Sequence, residues 1–309
     1  MNYKQLKKRM SKINQKIFIN NKILEVQQKG SHGTPIIILT GLGCSFDDWH
    51  EITEELSIDN RIIMFHRPGL GMSEIGDESR TTQASAQELK EVLRQLAIHE
   101  PIILVGHSYG GLCAQHFAKV YPKLIRGIIL VDSTSVDFAI LNTLKLPVLD
   151  DDNTDENWIK KCKLYSSMTT EDLRSVINPS LSEKQKQFPS HIQQRLMEFQ
   201  VNSTLYKAMG SEITHWKRDA ELIKELESFP DVPLIVIGRD KEYCIRIGVD
   251  EGLPEWELRL YEDKWEELIS EQVCLTSQSK LFYAKNSGHL IYLDRPDVLI
   301  KCIKEIQVD

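Results

Sequence analysis

Short, nearly continuous apolar runs recur along the chain, and stretches of helical periodicity separate most of them. These runs cover residues 35–40, 61–65, 101–105, 125–131, 232–237 and 280–284. Such runs are typical of strands buried on both faces of a sheet. Their alternation with helical patterns predicts a mostly parallel sheet with helices on both faces. Two further runs, 16–19 and 22–27, are joined by Asn20-Asn21 and predict a hairpin, so we expect a twisted sheet of about eight strands.

The alternation is interrupted once, between residues 136 and 229. This segment has no strand-like run but several helical stretches, including 156–166 and 191–202. A helical insertion between two strands is expected to cover the carboxyl edge of the sheet, where open α/β sheets bind ligands. We therefore predict a core formed by residues 1–135 and 230–309, with a helical cap formed by 136–229.

Composition supports one core with a large insertion. The chain has 309 residues, of which 41% are hydrophobic and 27% are charged, so it can bury a core without disulfides or metal ions. Its six cysteines are scattered without a CxxC pair, which predicts reduced thiols. No apolar stretch approaches the ~18 residues of a membrane span. We expect no integral membrane segment and a cytoplasmic location.

The distribution of charge argues against a nucleic-acid partner. The formal net charge is -7, and the body of the chain has no basic stripe interleaved with aromatic residues. The N-terminus differs, since six basic residues occur within residues 4–16, before the first acidic residue, Glu25. Tyr3, Leu6, Met10, Ile13 and Ile17 also recur there at helical spacing. This pattern favours a short helix packed on the body over one that docks on an anionic membrane or a partner.

The strongest chemical motif is Gly-His-Ser-Tyr-Gly-Gly at residues 106–111. It follows one predicted strand and precedes a predicted helix, the context of a nucleophile elbow. Flanking glycines let the neighbouring backbone pass a serine held in a strained turn. We predict that Ser108 is a nucleophile and that the Tyr109 N–H, at the helix start, stabilises an oxyanion.

A serine hydroxyl needs a general base, and a histidine beyond the last strand run meets this need. His289 follows Gly288 just after residues 280–284, whereas the other histidines lie in positions less suited to the role. We predict His289 as the base.

The base needs a carboxylate to orient it. Asp240 follows the run 232–237 and completes the order Ser108, Asp240, His289, as expected for an elbow hydrolase. Asp132, at the end of the run 125–131, is the alternative, and Glu242 is a weaker third candidate. We favour Asp240.

The second oxyanion donor is expected in a loop after an earlier strand. Thr40-Gly41-Leu42-Gly43 follows the run 35–40, and we assign the donor to the Leu42 N–H. Neither this loop nor residues 69–71 has the third glycine of a dinucleotide-binding fingerprint. No H-E-x-x-H or comparable ligand cluster is present, and the acidic run 150–152 is expected to be a solvated loop. We predict no cofactor and no metal.

Four segments together resemble the α/β-hydrolase superfamily, in its capped branch with serine nucleophiles. They are residues 40–49, 65–73, 106–111 and 286–296, which are similar to that family's oxyanion loop, Pro-Gly turn, elbow and histidine loop. The sequence departs from the family in having Thr40-Gly41 where many relatives have His-Gly, and His66 where an aspartate is common.

The resemblance implies a two-step acyl transfer on a small-molecule substrate, without a cofactor or metal. Cleavage of a carboxylic ester or related acyl bond is the expected activity. Two alternatives stay open: a ligand sensor that signals to a protein, and a related triad reaction such as C–C bond hydrolysis, acyl transfer or perhydrolysis. We assign the residues around Trp265 a packing role only. Trp49, Trp158, Trp216 and Tyr109 are expected to be core residues, with a pocket under the cap as their alternative place.

Overall fold

The computed structural model describes residues 12–151 and 153–307. The described residues form eight strands: β1 (Lys12–Ile19), β2 (Lys22–Lys29), β3 (Pro35–Leu39), β4 (Arg61–Phe65), β5 (Ile102–His107), β6 (Ile125–Val131), β7 (Leu234–Arg239) and β8 (Ser279–Ala284). Each of the eight overlaps an apolar run of the sequence, although β1 begins at Lys12, four residues before its run. The predicted hairpin is confirmed, because β1 and β2 pair antiparallel across Asn20 and Asn21, which both have positive φ angles.

The strands form one sheet in the order β1-β2-β4-β3-β5-β6-β7-β8. β2 pairs antiparallel with β4, and every pair from β4 to β8 is parallel. The carboxyl ends of β5, β6, β7 and β8 therefore meet at one edge, where the loops that follow them lie side by side. The predicted fold class is confirmed.

Eleven α-helices accompany these strands in the described part of the chain. They are α1 (His50–Leu56), α2 (Thr82–Gln95), α3 (Tyr109–Val120), α4 (Asp155–Ser166), α5 (Thr170–Ile177), α6 (Ser190–Gln200), α7 (Ser203–Glu225), α8 (Lys241–Asp250), α9 (Glu255–Glu271), α10 (Ile291–Asp294) and α11 (Pro296–Glu305). Alternating residues of the central strands bury opposite faces. Ile37 and Leu104 pack into one apolar cluster with α2 and α3, and Ile36 and Ile103 pack into another with α1 and α11.

The described residues between β6 and β7 are helical or irregular. They contain α4 to α7, and the predicted helices at 156–166 and 191–202 correspond to α4 and α6. We call this segment the cap; its bounds at 136 and 229 stay a prediction. The long helix α7 is fixed to the core, since Asp219 accepts a 2.7 Å hydrogen bond from Thr82 N and Thr204 Oγ1 donates to the Gly69 carbonyl at 2.8 Å.

The predicted N-terminal helix is wrong for the part of it that the structure describes, from Lys12 onward. From Lys12 onward the chain lies in β1, because these residues pair with β2, so Ile13 and Ile17 belong to a strand. The basic residues before Lys12 lie outside the described residues. No helix in 12–151 or 153–307 is both long and apolar enough to cross a membrane. All six cysteines are free thiols, as predicted.

Candidate active site

Ser108 occupies the sharp turn between β5 and α3. Its backbone angles are φ 52 and ψ −124, in a region that residues with a side chain rarely adopt. The flanking glycines allow this turn: a Cβ on Gly106 would lie 2.6 Å from the Gly111 Cα, and one on Gly110 would lie 2.2 Å from the Leu39 carbonyl oxygen. The sequence prediction of a strand–serine–helix elbow is therefore confirmed as a backbone geometry.

His289 makes a short hydrogen bond with Asp132. Its Nδ1 lies 2.6 Å from Asp132 Oδ2, and the ring is partly exposed whereas the carboxylate is fully buried. Because a carboxylate only accepts hydrogen bonds, Nδ1 carries the proton and donates it. A neutral His289 in this tautomer has its lone pair on Nε2, the nitrogen that a general base uses.

Asp132 follows β6 directly and has a positive φ of 40. Besides His289, three donors bind its carboxylate: Trp265 Nε1 at 2.9 Å, Arg239 Nη1 at 3.1 Å and the Arg239 backbone N–H at 3.3 Å. Burial alone would raise the pKa of Asp132. The charge of Arg239 and the hydrogen bonds from His289 and Trp265 outweigh it and hold that pKa well below its ordinary value. Asp132 is therefore ionised whenever the protein is folded near neutral pH.

The prediction that Asp240 orients the histidine is wrong. Asp240 caps α8, where its Oδ1 accepts from Tyr243 N at 3.4 Å, and its Oδ2 accepts from Asn286 N at 3.0 Å. One oxygen thus caps the start of α8 and the other binds the segment after β8, so neither contacts the imidazole. Glu242 is also excluded, since it is exposed and pairs with Arg259 at 3.2 Å.

Two residues that the sequence pattern did not indicate support Asp132. Trp265, on α9, was assigned only a packing role, yet its indole N–H binds the carboxylate. Arg239 lies 4.5 Å from the Trp265 ring centroid and makes a two-pronged ion pair with Glu262 at 2.9 and 2.8 Å. The signal available in the sequence was an arginine close behind the apolar run 232–237, since a charge carried into a sheet needs a carboxylate near it.

His107 joins the elbow to the histidine loop. Its Nε2 donates to the His289 carbonyl at 2.9 Å, and the two rings lie 4.7 Å apart. Burial, together with the neighbouring His289, lowers the pKa of His107 to about 3, so this imidazole is neutral. The residue before Ser108 therefore fixes the backbone of the residue that carries the base.

The predicted oxyanion loop lies against the elbow. A Cβ on Gly41 would be 3.2 Å from the Ser108 Cβ, and the loop turns at Gly43, whose φ is +63. Leu42 lies between these glycines. Tyr109 is the first residue of α3, so its N–H has no carbonyl partner within the helix. Both N–H groups lie in segments adjoining Ser108; their oxyanion role stays a prediction.

Ser108 opens into a cavity of about 440 Å³ between the core and the cap. The other residues lining it are Thr134, Phe138, Leu141, Asn142, Leu146, Leu149, Asp150, Asn153, Asp155, Trp216, Leu258, Tyr261, Glu262 and Trp265. Of the aromatic residues considered from the sequence, Trp216 lines this cavity, and Trp49 and Tyr109 are fully buried core residues. In the described part of the chain, no group of three or more His, Cys, Asp or Glu side chains is placed to hold a metal ion.

The sheet order, the serine elbow and the cavity at the carboxyl edge define a hydrolase-type α/β architecture. A family model described as the alpha/beta hydrolase fold matches residues 34–176. An esterase from Thermogutta terrifontis superposes with a TM-score of 0.65 at 20% identity, over 94% of this chain and 97% of the esterase. The family-model match indicates the α/β-hydrolase superfamily, and the superposition agrees with its fold.

Two further relatives agree with this assignment. An alpha/beta hydrolase fold protein from Burkholderia ambifaria superposes with a TM-score of 0.67 at 13% identity, over 96% of this chain and 98% of that one. A proline iminopeptidase from Saccharolobus solfataricus is 22% identical over 287 residues, which cover 90% of this chain and 85% of the relative. The matched family supports hydrolase activity, and the named peptidase among the relatives agrees with it.

Proposed function

We propose that the protein is a serine hydrolase that cleaves a carboxylic ester or related acyl bond of a small molecule, with Ser108 as nucleophile, His289 as base and Asp132 as its acidic partner. One observation carries the proposal: the 2.6 Å hydrogen bond between His289 Nδ1 and an aspartate kept ionised by Arg239 and Trp265. This bond orients the ring and leaves Nε2 free to accept a proton.

The proposed reaction has two steps, which are acylation of Ser108 and hydrolysis of the acyl-serine. Ser108 Oγ bonds to the substrate carbonyl carbon while its proton passes to His289 Nε2, and the resulting oxyanion accepts hydrogen bonds from the N–H groups of Leu42 and Tyr109. The bond to the leaving group then breaks, and His289 protonates that group. A water molecule cleaves the acyl-serine by the same route, with His289 as base, and restores the free hydroxyl.

The residues that line the cavity favour binding of a small substrate that is neutral or positively charged. Its volume is within the range of small-molecule sites. Three carboxylates and four aromatic rings line it, and no lysine, arginine or histidine occurs among its described lining residues. Glu262 pairs with Arg239 and Asp155 with Lys217, which leaves Asp150 as the lining carboxylate without an ion pair among the described residues. A substrate with a carboxylate would be repelled here, whereas a cation would be attracted by Asp150 and the aromatic faces.

A fluorophosphonate probe and a panel of aryl esters of increasing acyl length test the activity. We expect repeated turnover, labelling of Ser108 in the mapped peptide, and loss of both in Ser108→Ala. Labelling with at most one turnover would favour the ligand-sensor alternative. Unchanged turnover in Ser108→Ala contradicts the proposal.

Substrate charge is tested with three esters of equal length that end in a methyl, trimethylammonium or carboxylate group. We expect kcat/KM to be lowest for the carboxylate ester. Asp150→Asn should reduce the difference in kcat/KM between the trimethylammonium and carboxylate esters at low salt. Asp151→Asn removes the same charge at the neighbouring exposed position, which does not line the cavity, and is the matched control. A preference for the carboxylate ester contradicts this assignment of substrate charge.

A further inference from the structure

Arg67 is a buried cation that the proposed reaction does not use. It lies in the Pro-Gly turn after β4 and is 2% exposed. Its guanidinium donates through Nη1 to the Thr40 carbonyl at 2.7 Å and through Nη2 to the Gly41 carbonyl at 3.1 Å. Nε and Nη2 also bind the two carboxylate oxygens of Glu212 at 2.7 and 3.2 Å. Arg67 thus contacts the loop that carries the Leu42 N–H.

These contacts fix the direction of the Leu42 N–H. The Gly41 carbonyl and the Leu42 N–H belong to one planar trans peptide unit, in which the C=O and N–H bonds point in opposite directions. Because Arg67 holds the carbonyl on one side, together with the Cys44 N–H at 3.3 Å, the Leu42 N–H must point to the other. Gly41 itself lies over the elbow, since a Cβ there would be 3.2 Å from the Ser108 Cβ.

The cap completes this arrangement. Glu212 belongs to α7 and is 1% exposed. One turn earlier, Met209 packs on the same loop, since a Cβ on Gly43 would lie 2.7 Å from its Sδ. The Arg67 guanidinium also lies 5.1 Å from the centroid of the Tyr109 ring, the residue after Ser108. One cap helix and one buried arginine therefore hold the loop against the elbow.

We propose that Arg67 is a positioning residue of the oxyanion site, which orients the Leu42 N–H by binding the Thr40 and Gly41 carbonyls, and that Glu212 of the cap fixes Arg67 for this purpose. The inference rests on the proposed function. A purely structural ion pair would affect only the stability of the fold. A positioning role predicts that substitution of Arg67 also weakens stabilisation of the transition state.

The chain contains a matched control in Arg80 and Glu88. These side chains form a buried two-pronged pair at 2.7 and 2.6 Å, and in the described structure Arg80 donates no hydrogen bond to the oxyanion loop. Replacement of either arginine by lysine keeps the charge but removes the planar set of donors. Both variants therefore break a buried two-pronged ion pair, but only Arg67→Lys removes donors to the Thr40 and Gly41 carbonyls. Because the Arg80 N–H also binds Ser211 of α7 at 2.9 Å, Tm is measured for every variant.

The experiment measures kcat, KM and Tm for Arg67→Lys, Glu212→Gln, Arg80→Lys and Glu88→Gln with a 4-nitrophenyl ester, together with inhibition by an alkyl boronic acid that forms a tetrahedral adduct on serine. We expect Arg67→Lys to lower kcat about 100-fold with KM within threefold, and to weaken boronate binding by a comparable factor. Glu212→Gln, which keeps the arginine donors, should lower kcat about tenfold. The Arg80 and Glu88 variants should stay within threefold.

Equal kcat losses in the Arg67 and Arg80 variants, or an unchanged kcat in folded Arg67→Lys, would overturn this inference alone. If Arg67→Lys does not fold, the comparison of Glu212→Gln with Glu88→Gln decides in the same way. Absence of serine-dependent turnover in the wild-type protein would overturn the proposed function and this inference together.

Discussion

At the scale of single residues, the acidic partner of His289 is the most informative feature. Asp132 and Asp240 both end core strands, and both fit the chain order of serine, acid and histidine. Only Asp132 receives the imidazole N–H, and it is also bound by Trp265 and Arg239. Asp240 instead binds backbone N–H groups of Tyr243 and Asn286. The two carboxylates thus have separate roles that a pair of substitutions can distinguish.

We predict that Asp132→Asn lowers kcat about 10³- to 10⁴-fold, because the amide does not stabilise the imidazolium that forms when His289 takes the proton. Asp240→Asn should change kcat less than fivefold, since the amide oxygen still caps α8 and only the hydrogen bond from the Asn286 N–H is lost. Steady-state kinetics with one ester measures both variants. A larger loss of kcat in Asp240→Asn than in Asp132→Asn would indicate that Asp240 is the acidic partner of His289.

At the scale of elements, the elbow requires β5 and α3 to meet with no space for a side chain. Gly110 faces the end of β3, where an added Cβ would lie 2.2 Å from a backbone carbonyl oxygen. Backbone cannot give way as a side chain can, so the serine turn depends on this glycine as much as on its own strained angles.

Gly110→Ala is therefore expected to lower the free energy of unfolding by about 2 kcal/mol or more, through displacement of β3 or α3. Gly210→Ala is the control, because Gly210 also lies in a helix but its added Cβ would meet only a side-chain carbon of Cys162, at 3.0 Å. There the gain in helix propensity, about 1 kcal/mol, opposes the cost of this one contact, so the loss should be smaller than in Gly110→Ala. Urea denaturation measures both changes, and an equal loss in the two variants contradicts the explanation.

At the scale of the whole molecule, a buried cluster of polar side chains joins the sheet to the cap, although the two lie far apart in the sequence. Glu25 on β2 lies 2.8 Å from His66 Nδ1 and 2.8 Å from Arg195 Nη2, which belongs to α6 of the cap. Burial alone would raise the pKa of Glu25, but hydrogen bonding to His66 and the charge of Arg195 lower it to about 2, against an ordinary value of 4.5. His66, which departs from the family pattern, thus has a structural partner.

This shift predicts a pH-dependent contribution to stability. Because the pKa of Glu25 is lower in the folded protein than in the unfolded chain, ionised Glu25 contributes to the free energy of unfolding. This contribution is fully present above about pH 4.5 and is lost as the pH falls towards 2. At its largest it is about 2 to 3 kcal/mol. The difference in unfolding free energy between the wild type and Glu25→Gln should therefore be largest near neutral pH and narrow below pH 4.5. Chemical denaturation between pH 7 and pH 3 measures it. Glu51→Gln, at an exposed position of α1, should show little difference throughout.

Much of the architecture followed from the sequence because it depends on local patterns. Apolar runs identified all eight strands, and the glycine-serine motif identified the elbow, since only a narrow set of residues fits a strained strand-to-helix turn. The helix expected from the spacing of Ile13 and Ile17 failed, because pairing of β1 with β2 overrides helical periodicity in so short a segment.

The sequence alone thus determined the order of strands along the chain, the turn that exposes Ser108 and the loop that holds His289. Only the tertiary structure decided which carboxylate meets the imidazole, which helix supports it through Trp265, and how Arg67 and Glu212 bind the loop next to Ser108. The physical reason is that sequence spacing fixes where a strand ends but not where the last side chain points. That direction depends on one backbone angle, positive at Asp132, and on donors brought together from α9, β7 and the histidine loop.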